Sequence, residues 1–254
     1  MGRHFKVATG GSEGWQLASK VVKAFRLLRR PRFTQALLAH RVAASVEHLA
    51  AISACKANTL LDAGANKGQF SLAYRSIRPT SLIVAFEPLP IAADTFERLF
   101  EGDESTSLQR VALAGAEGYA TLHVANRTDS SSLLKPGSGQ ERAFGVRGAS
   151  TITVRLRRLD ECLNICALPR PIMLKVDVQG AELGVFEGCD HLDVIDYIYV
   201  ELSFIELYEG QPLFDDVNSY LVDKGFRLSG VFNQVSTKEF GPTQIDALFR
   251  RGAG

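Results

Sequence analysis

From Thr59 to Ser203 the chain repeats one pattern, a short apolar run followed by a stretch whose apolar residues have helical spacing. The runs are TLLDAG, SLIVAFE, SLQRVAL, PIMLKVDV and YIYVELS, and stretches such as IAADTFERLF separate several of them. Strands that alternate with helices predict a parallel sheet whose ligand crevice lies beyond the strands' carboxyl ends. The end of the chain reads differently. FRLSGVFN and QIDALFRR are joined by a short loop containing GPT, too little chain for a helical crossover, so an antiparallel terminal hairpin is expected. Between the third and fourth parallel strands, GYATLHVAN and STITVRLRRL read as exposed strands. The Ser/Gly-rich stretch from Arg127 to Ser150 between them reads as a lid.

A chain of 254 residues is long enough for one large α/β domain, or for a smaller domain with an appendage. At 46% hydrophobic and 22% charged residues, disordered and collagen-like classes are excluded. No apolar run approaches the roughly 18 residues that span a bilayer, and MGRHFKVATGG lacks the apolar core of a signal peptide, so a cytoplasmic protein is expected. Cys55, Cys162, Cys166 and Cys189 are scattered, without a second close pair or a nearby histidine to complete a zinc site, and read as reduced thiols.

The net charge of +1 hides an asymmetry that divides the chain into residues 1–54 and 55–254. The first part carries nine Lys/Arg against Glu13 and Glu47, a net of +7, and the second a net of −6. In the basic arm, Leu17, Val21, Ala24, Phe25 and Leu28 share one side of a helix, with Lys23, Arg26, Arg29 and Arg30 mainly on the other and Pro31 as its stop. A second helical segment is expected from about Thr34 to Ala51. Two readings of the arm stay open: a helical extension packed on the body, or a docking surface for an acidic protein or an anionic membrane.

The turn after the first strand, LLDAGANKGQFS, narrows the ligand. A dinucleotide fingerprint needs G-x-G-x-x-G, whereas here Gly64 and Gly68 flank Asn66, and Gln69 stands where the third glycine belongs. A Walker A loop fails too, because Lys67 precedes its glycine and no G-K-[ST] follows. What remains is a tight strand-to-helix turn with Asp62 at its entrance, a carboxylate suited to a ligand ammonium group. Glu87 follows 23 residues after Gly64, at the end of the second strand. A carboxylate there can accept both hydroxyls of an adenosine ribose. Adenosine with an amino-acid tail points to S-adenosylmethionine, held by Asp62, Gly64, Asn66, Gly68 and Glu87.

In PIMLKVDVQGAELGVFEG, Lys175 and Asp177 share one side of the fourth parallel strand by its period of two. They are either a salt bridge at the sheet's end or a pair pointing into the crevice. Glu182, in the first turn of the next helix, reads as a capping acid.

These residues carry a family resemblance. LLDAGANKGQFS, AFEPLP, LKVDVQGAEL, VELSFIELYEGQPLF and QIDALF, in that order between Leu60 and Phe249, resemble the FkbM family of S-adenosylmethionine-dependent methyltransferases. The resemblance implies a class I methyltransferase fold, a Rossmann-like seven-stranded α/β sheet with its last strand antiparallel, here preceded by the helical arm. It extends the candidate cofactor contacts to Ala65, Phe70, Ser71, Pro88, Val111 and Ala112. It also implies O-methylation, with a hydroxyl of a sugar, a polysaccharide precursor or a polyketide-like molecule as acceptor.

Such chemistry rests mostly on aligning the acceptor oxygen and excluding water. A base helps, for which Asp177 is the first candidate and Glu201 the second, with Lys175 orienting either carboxylate or the acceptor oxygen. Two carboxylates are a weak metal signature, and no metal site is assigned. Tyr208, Glu209 and Gln211 read as acceptor-pocket residues or as a surface loop. The rival reading is a catalytically silent S-adenosylmethionine-binding module that docks through its arm. Nucleic acid is not an expected partner, since the acidic body offers no phosphate track. The acceptor's identity and the oligomeric state are not legible.

One experiment tests the membrane reading of the arm. An arm that docks to an anionic membrane pellets the protein with acidic liposomes at low salt and releases it as salt rises, because exposed charges are screened beyond about 10 Å at 0.1 M; no pelleting at low salt removes that reading.

Overall fold

The computed structural model of the chain describes residues 30–252. The expected first helix, Leu17 to Arg30, lies outside the described residues except for Arg30. Chain order begins with helix α1 (Pro31–His40) and helix α2 (Leu49–Ala54). Then come β1 (Thr59–Ala63), α3 (Gln69–Ile77), β2 (Leu82–Phe86), α4 (Pro90–Leu99) and β3 (Thr106–Gln109). An insertion follows: β4 (Ala112–Leu113), β5 (Gly118–Ala125), α5 (Ser138–Phe144) and β6 (Gly148–Arg157). The chain closes with α6 (Leu159–Cys162), β7 (Ile172–Val176), α7 (Glu182–Glu187), β8 (Tyr197–Ser203), α8 (Phe214–Asp223), β9 (Phe226–Thr237) and β10 (Gly241–Arg251).

The main sheet has seven strands in the order β3-β2-β1-β7-β8-β10-β9, with β10 antiparallel to both β8 and β9 and the rest parallel. This is the class I methyltransferase arrangement that the resemblance implies. The central strands β1 and β7 are buried along their whole length, which is why they read as continuous apolar runs interrupted only by Asp62 and Lys175. One face of the sheet carries Leu61, Leu174, Ile198 and Phe249 under Phe186 and Leu221. The other carries Leu60, Met173, Tyr199 and Leu248 under Ile52, Phe70 and Tyr74. The order reverses at β1, where β2 lies on one side and β7 on the other, so the crevice opens there.

Three elements differ from the sequence reading. The run SLQRVAL is not one strand: the backbone turns at Val111, whose N–H bonds Gln109 O at 2.9 Å. Ala112 and Leu113 then leave the main sheet to pair with β6 in a second sheet of order β4-β6-β5. The terminal hairpin is longer than FRLSGVFN and QIDALFRR, since GPT lies inside β10 and the turn is residues 238–240.

The third difference is at the start, where the helix expected from Thr34 to Ala51 is two. Pro31 begins α1, its fixed φ suiting the first turn. α1 stops at Arg41, which takes φ +55, and Ser45 N–H then bonds Gln69 O at 3.1 Å. A helical turn over Val46–His48 leads into α2. Phe33, Val42 and Val46 close over Leu72 of α3, so this part of the arm packs on the body.

The Ser/Gly-rich stretch is folded down. Ser132 Oγ donates to Gln179 O at 2.6 Å, and Gly137 N–H to Leu207 O at 2.8 Å. All four cysteines are free thiols. Among the described residues no helix is long and apolar enough to cross a membrane.

Arg75 of α3 is 4% exposed and fastens the helix to the β2–β3 side of the sheet. Its guanidinium pairs with Asp103 at 2.9 Å and donates to Thr106 Oγ1 at 2.8 Å and to Ser105 O at 3.3 Å. Arg75→Ala removes these charge-assisted bonds and the counter-charge of Asp103, and urea unfolding is expected to show a loss of about 2–4 kcal/mol.

Candidate active site

The turn after β1 is built by left-handed residues. Gly64, Asn66 and Gly68 have φ of +73, +48 and +87. Gly64 and Ala65 N–H both bond Phe86 O, at 3.0 and 3.1 Å, which ties the turn to β2. Gly64 is required by a close approach within the protein: a Cβ there would lie 1.9 Å from the carbonyl oxygen of Asp177. A Cβ on Gly68 would press on Phe96 and Phe100 at 3.0 and 2.8 Å. Both glycines thus let protein elements meet, and the ligand gains a tight turn as the result.

Beneath the turn lies a buried ion pair. The register places Asp62 beside Lys175, and Lys175 Nζ is 3.0 Å from Asp62 Oδ1 and 3.9 Å from Asp177 Oδ2. Nζ also donates to Gly64 O at 2.7 Å and Ala63 O at 3.3 Å, and Ser71 Oγ donates to the other oxygen of Asp62 at 2.6 Å. Burial works against the charged ammonium of Lys175, yet Asp62 and Asp177 outweigh it and raise its pKa above the ordinary lysine value. Asp62 is fully buried and lies outside the cavity lining. The ammonium group beside it is that of Lys175. Lys175, in turn, is closer to Asp62 than to Asp177, its expected neighbour on the strand.

The cavity beside the turn measures about 430 Å³, within the range of small-molecule sites. Of the residues singled out from the sequence, Gly64, Ala65, Asn66, Phe70, Glu87, Pro88, Val111, Ala112, Lys175 and Asp177 line it. Asp62, Gly68, Ser71 and Glu201 stand behind this lining. Towards the β3 edge the wall is apolar, with Phe86, Val111, Leu113, Leu122 and Leu133. Towards β7 it is polar, with Lys175, Asp177 and Gln179.

Glu87 lies between these two ends, 7% exposed. Its oxygens accept from Asn66 N–H at 2.8 Å and Leu89 N–H at 2.7 Å. Burial raises its pKa to about 7, against the lowering effect of those two N–H groups. Two further acceptors, Asn66 Oδ1 and Gln69 Oε1, are buried with no protein partner and belong to cavity-lining residues. An apolar slot, a carboxylate with lone pairs to spare and two unsatisfied acceptors fit a nucleoside: the slot suits a base, and the acceptors suit hydroxyl and amino groups.

Past β7, Gln179 Nε2 donates to Asp177 Oδ1 at 2.6 Å and to Glu201 Oε2 at 3.0 Å, and Gln244 Nε2 reaches the same Glu201 oxygen at 3.0 Å. Burial, then the Asp177 and Asp246 charges, push Glu201 well above the ordinary carboxylate range, which favours its neutral form. Glu182 is 2% exposed and accepts Gly180 N–H at 2.9 Å; burial lifts its pKa to about 7. Tyr208 and Gln211 are buried loop residues: Gln211 Oε1 accepts the N–H groups of Leu207 and Tyr208. Glu209 is exposed and paired with Lys135. Among the described residues no group of three or more His, Cys, Asp or Glu is placed to hold a metal ion.

Among the cavity residues that sequence reasoning missed are Gln69, Gln179 and His48. His48 comes from the arm and is 3.3 Å from Asp246 and 2.9 Å from the Tyr199 hydroxyl; no local pattern marks it. Gln179 stands inside LKVDVQGAEL, three positions past the strand's last residue, and a polar side chain at the rim of a parallel strand was its available signal.

Residues 62–228 match the family described as Methyltransferase FkbM domain. The chain is 30% identical over 187 residues to Methyltransferase 1 of Beauveria bassiana (strain ARSEF 2860), covering 67% of this chain and 72% of that one. It is 30% identical over 220 residues to Methyltransferase sdnD of Sordaria araneosa, covering 76% and 80%. It is 31% identical over 160 residues to 2-O-methyltransferase NoeI of Sinorhizobium fredii (strain NBRC 101917 / NGR234), covering 60% and 66%.

Asp62→Asn tests the ion pair directly. It leaves the Lys175 ammonium buried without its nearest counter-charge, and denaturant unfolding is expected to show a loss of about 3–5 kcal/mol.

Proposed function

The chain belongs to the FkbM family of S-adenosylmethionine-dependent methyltransferases, and on that premise we propose that it methylates a hydroxyl of a sugar, a polysaccharide precursor or a polyketide-like small molecule. The observation that carries the hydroxyl reading is the polar end of the cavity, where Asp177, bonded to Gln179 and backed by Glu201, faces the space beside the cofactor slot. The similarity to a protein named as a 2-O-methyltransferase supports it.

S-adenosylmethionine supplies a methyl group already made electrophilic by its sulfonium. The protein's part is to hold, align and dehydrate. Glu87 would accept the ribose hydroxyls, Asn66 Oδ1 and Gln69 Oε1 would take donors from the nucleoside or the amino-acid tail, and the wall of Phe86, Val111 and Ala112 would cover the base. Asp177 Oδ2, the oxygen that Gln179 leaves open, receives the proton of the acceptor hydroxyl. Lys175 holds the β1 and β7 ends at fixed spacing. Glu201, kept neutral by its surroundings, can donate a hydrogen bond to a second acceptor oxygen. Incubation with S-adenosylmethionine and a panel of sugars, nucleotide sugars and polyketide alcohols, read by mass spectrometry, tests the reading; transfer only to nitrogen or carbon acceptors would sink it.

Two outcomes are expected. Glu87 binds hydroxyls best as a carboxylate, and its pKa is raised to about 7. Cofactor affinity should therefore rise with pH as Glu87 loses its proton and level off above that value, and calorimetry should show this component removed in Glu87→Gln. Asp177→Asn keeps the side chain's shape but cannot take a proton. Methyl transfer should fall by about 10² to 10⁴-fold with cofactor affinity and melting temperature nearly unchanged; a large drop in either would move Asp177 to a binding or structural role.

A further inference from the structure

Gln179 has φ +57, a left-handed conformation that residues with side chains seldom take, and Gly180 follows at +99. That path turns the Gln179 amide back over the ends of β7 and β8. Its Nε2 uses one hydrogen on Asp177 Oδ1 at 2.6 Å and the other on Glu201 Oε2 at 3.0 Å. Its Oε1 accepts from the Tyr208 hydroxyl at 2.8 Å, which also lies 3.0 Å from Ser130 O and accepts from Gln140 Nε2 at 2.7 Å. Its main-chain oxygen accepts from Ser132 at 2.6 Å. Ser130, Ser132 and Gln140 all belong to the insertion between β5 and β6, so one side chain joins the carboxyl pair to the segment folded over the cavity.

We propose that Gln179 is the positioning residue of the acceptor site: it occupies Asp177 Oδ1 so that Oδ2 meets the acceptor hydroxyl, and it makes that orientation depend on the insertion being seated. The proposal rests on the hydroxyl-methylation reading above. A glutamine suits the task because each carboxyl group receives one N–H and the amide cannot be reversed: turned over, its oxygen would face Asp177 and its nitrogen the Tyr208 hydroxyl. Asp177 also faces Lys175 on its own strand, Glu182 from α7, Tyr208 from the loop after β8 and Glu201 with Asp246 behind it, while His48 and Asp129 stand on the walls of the same cavity. Among these groups Gln179 is the one that bonds both Asp177 and Glu201.

Carboxyl-carbon NMR of the full chain labelled at aspartate, with the Asp177 signal assigned by its loss in Asp177→Asn, tests the proposal without a known acceptor. Losing a donor to the charged form favours the neutral form, so in Gln179→Leu the Asp177 carboxyl should titrate about one pH unit higher than in wild type. Tyr208→Phe, which keeps the ring and removes the bond to Gln179 Oε1, should move it the same way by less. Affinity for S-adenosylhomocysteine should stay within about twofold in both variants. An Asp177 titration that does not move overturns the proposal, and Tyr208→Phe decides alone if Gln179→Leu does not fold. A wild type that methylates no hydroxyl would overturn the reading it rests on, and the titration would still show whether Gln179 sets the state of Asp177.

Discussion

An ammonium group almost without contact with water sits between the ends of two neighbouring strands, and the crevice is arranged around it. Lys175 reaches across from β7 to Asp62 on β1 and to the carbonyls of Ala63 and Gly64, where β1 becomes the turn. A buried cation with one close carboxylate, a second farther off and two carbonyl acceptors has its bonding capacity met, which is the condition for tolerating such a charge. Ser71 completes the arrangement by binding the remaining Asp62 oxygen from the first turn of α3. Strand, turn and helix are thereby fixed to β7 at the point where the Asp177 carbonyl touches the space that a side chain on Gly64 would need.

The carboxyl groups around that cation are kept in unlike states by what surrounds each of them. Glu87 and Glu182 are both raised to about 7 by burial, although both accept backbone N–H bonds. Glu201 is raised well above the ordinary carboxylate range by burial and then by the charges of Asp177 and Asp246. Asp177 is the more exposed of the pair and lies within reach of Lys175.

Much of the fold was legible because its central strands are buried on both faces and leave uninterrupted apolar runs; β1, β2, β7 and β8 appear where those runs are. The site was legible in part. Glu87 and Asp177 reveal themselves by being acids at strand ends, and both line the cavity. The partner of Asp62 was hidden, because Lys175 lies 113 residues away in sequence and only the strand register brings it alongside. The same distance hid the true partner of Lys175, whose apparent mate by spacing was Asp177. The break between α1 and α2 was hidden by its composition, since Val42, Ala43 and Ala44 suit a helix as well as an extended segment, and Ser45's bond to Gln69 O decides between them. The split of SLQRVAL was hidden in a similar way, because a strand that changes sheets keeps the same alternation on either side of the turn.

The cavity is walled on its outer sides by residues from two places, Arg41 to His48 before the sheet begins and Thr128 to Leu133 inside the insertion. Neither segment supplies a strand to the main sheet, and the first lies outside the stretch that matches the family. Within them Val42, Val46 and Ser132 are buried, whereas Arg41, Glu47 and Asp129 are exposed. Descendants of such a chain can therefore diverge in what they admit by exchanging these exposed wall residues, while the buried ones keep the two segments seated and the Asp62–Lys175 seam stays untouched.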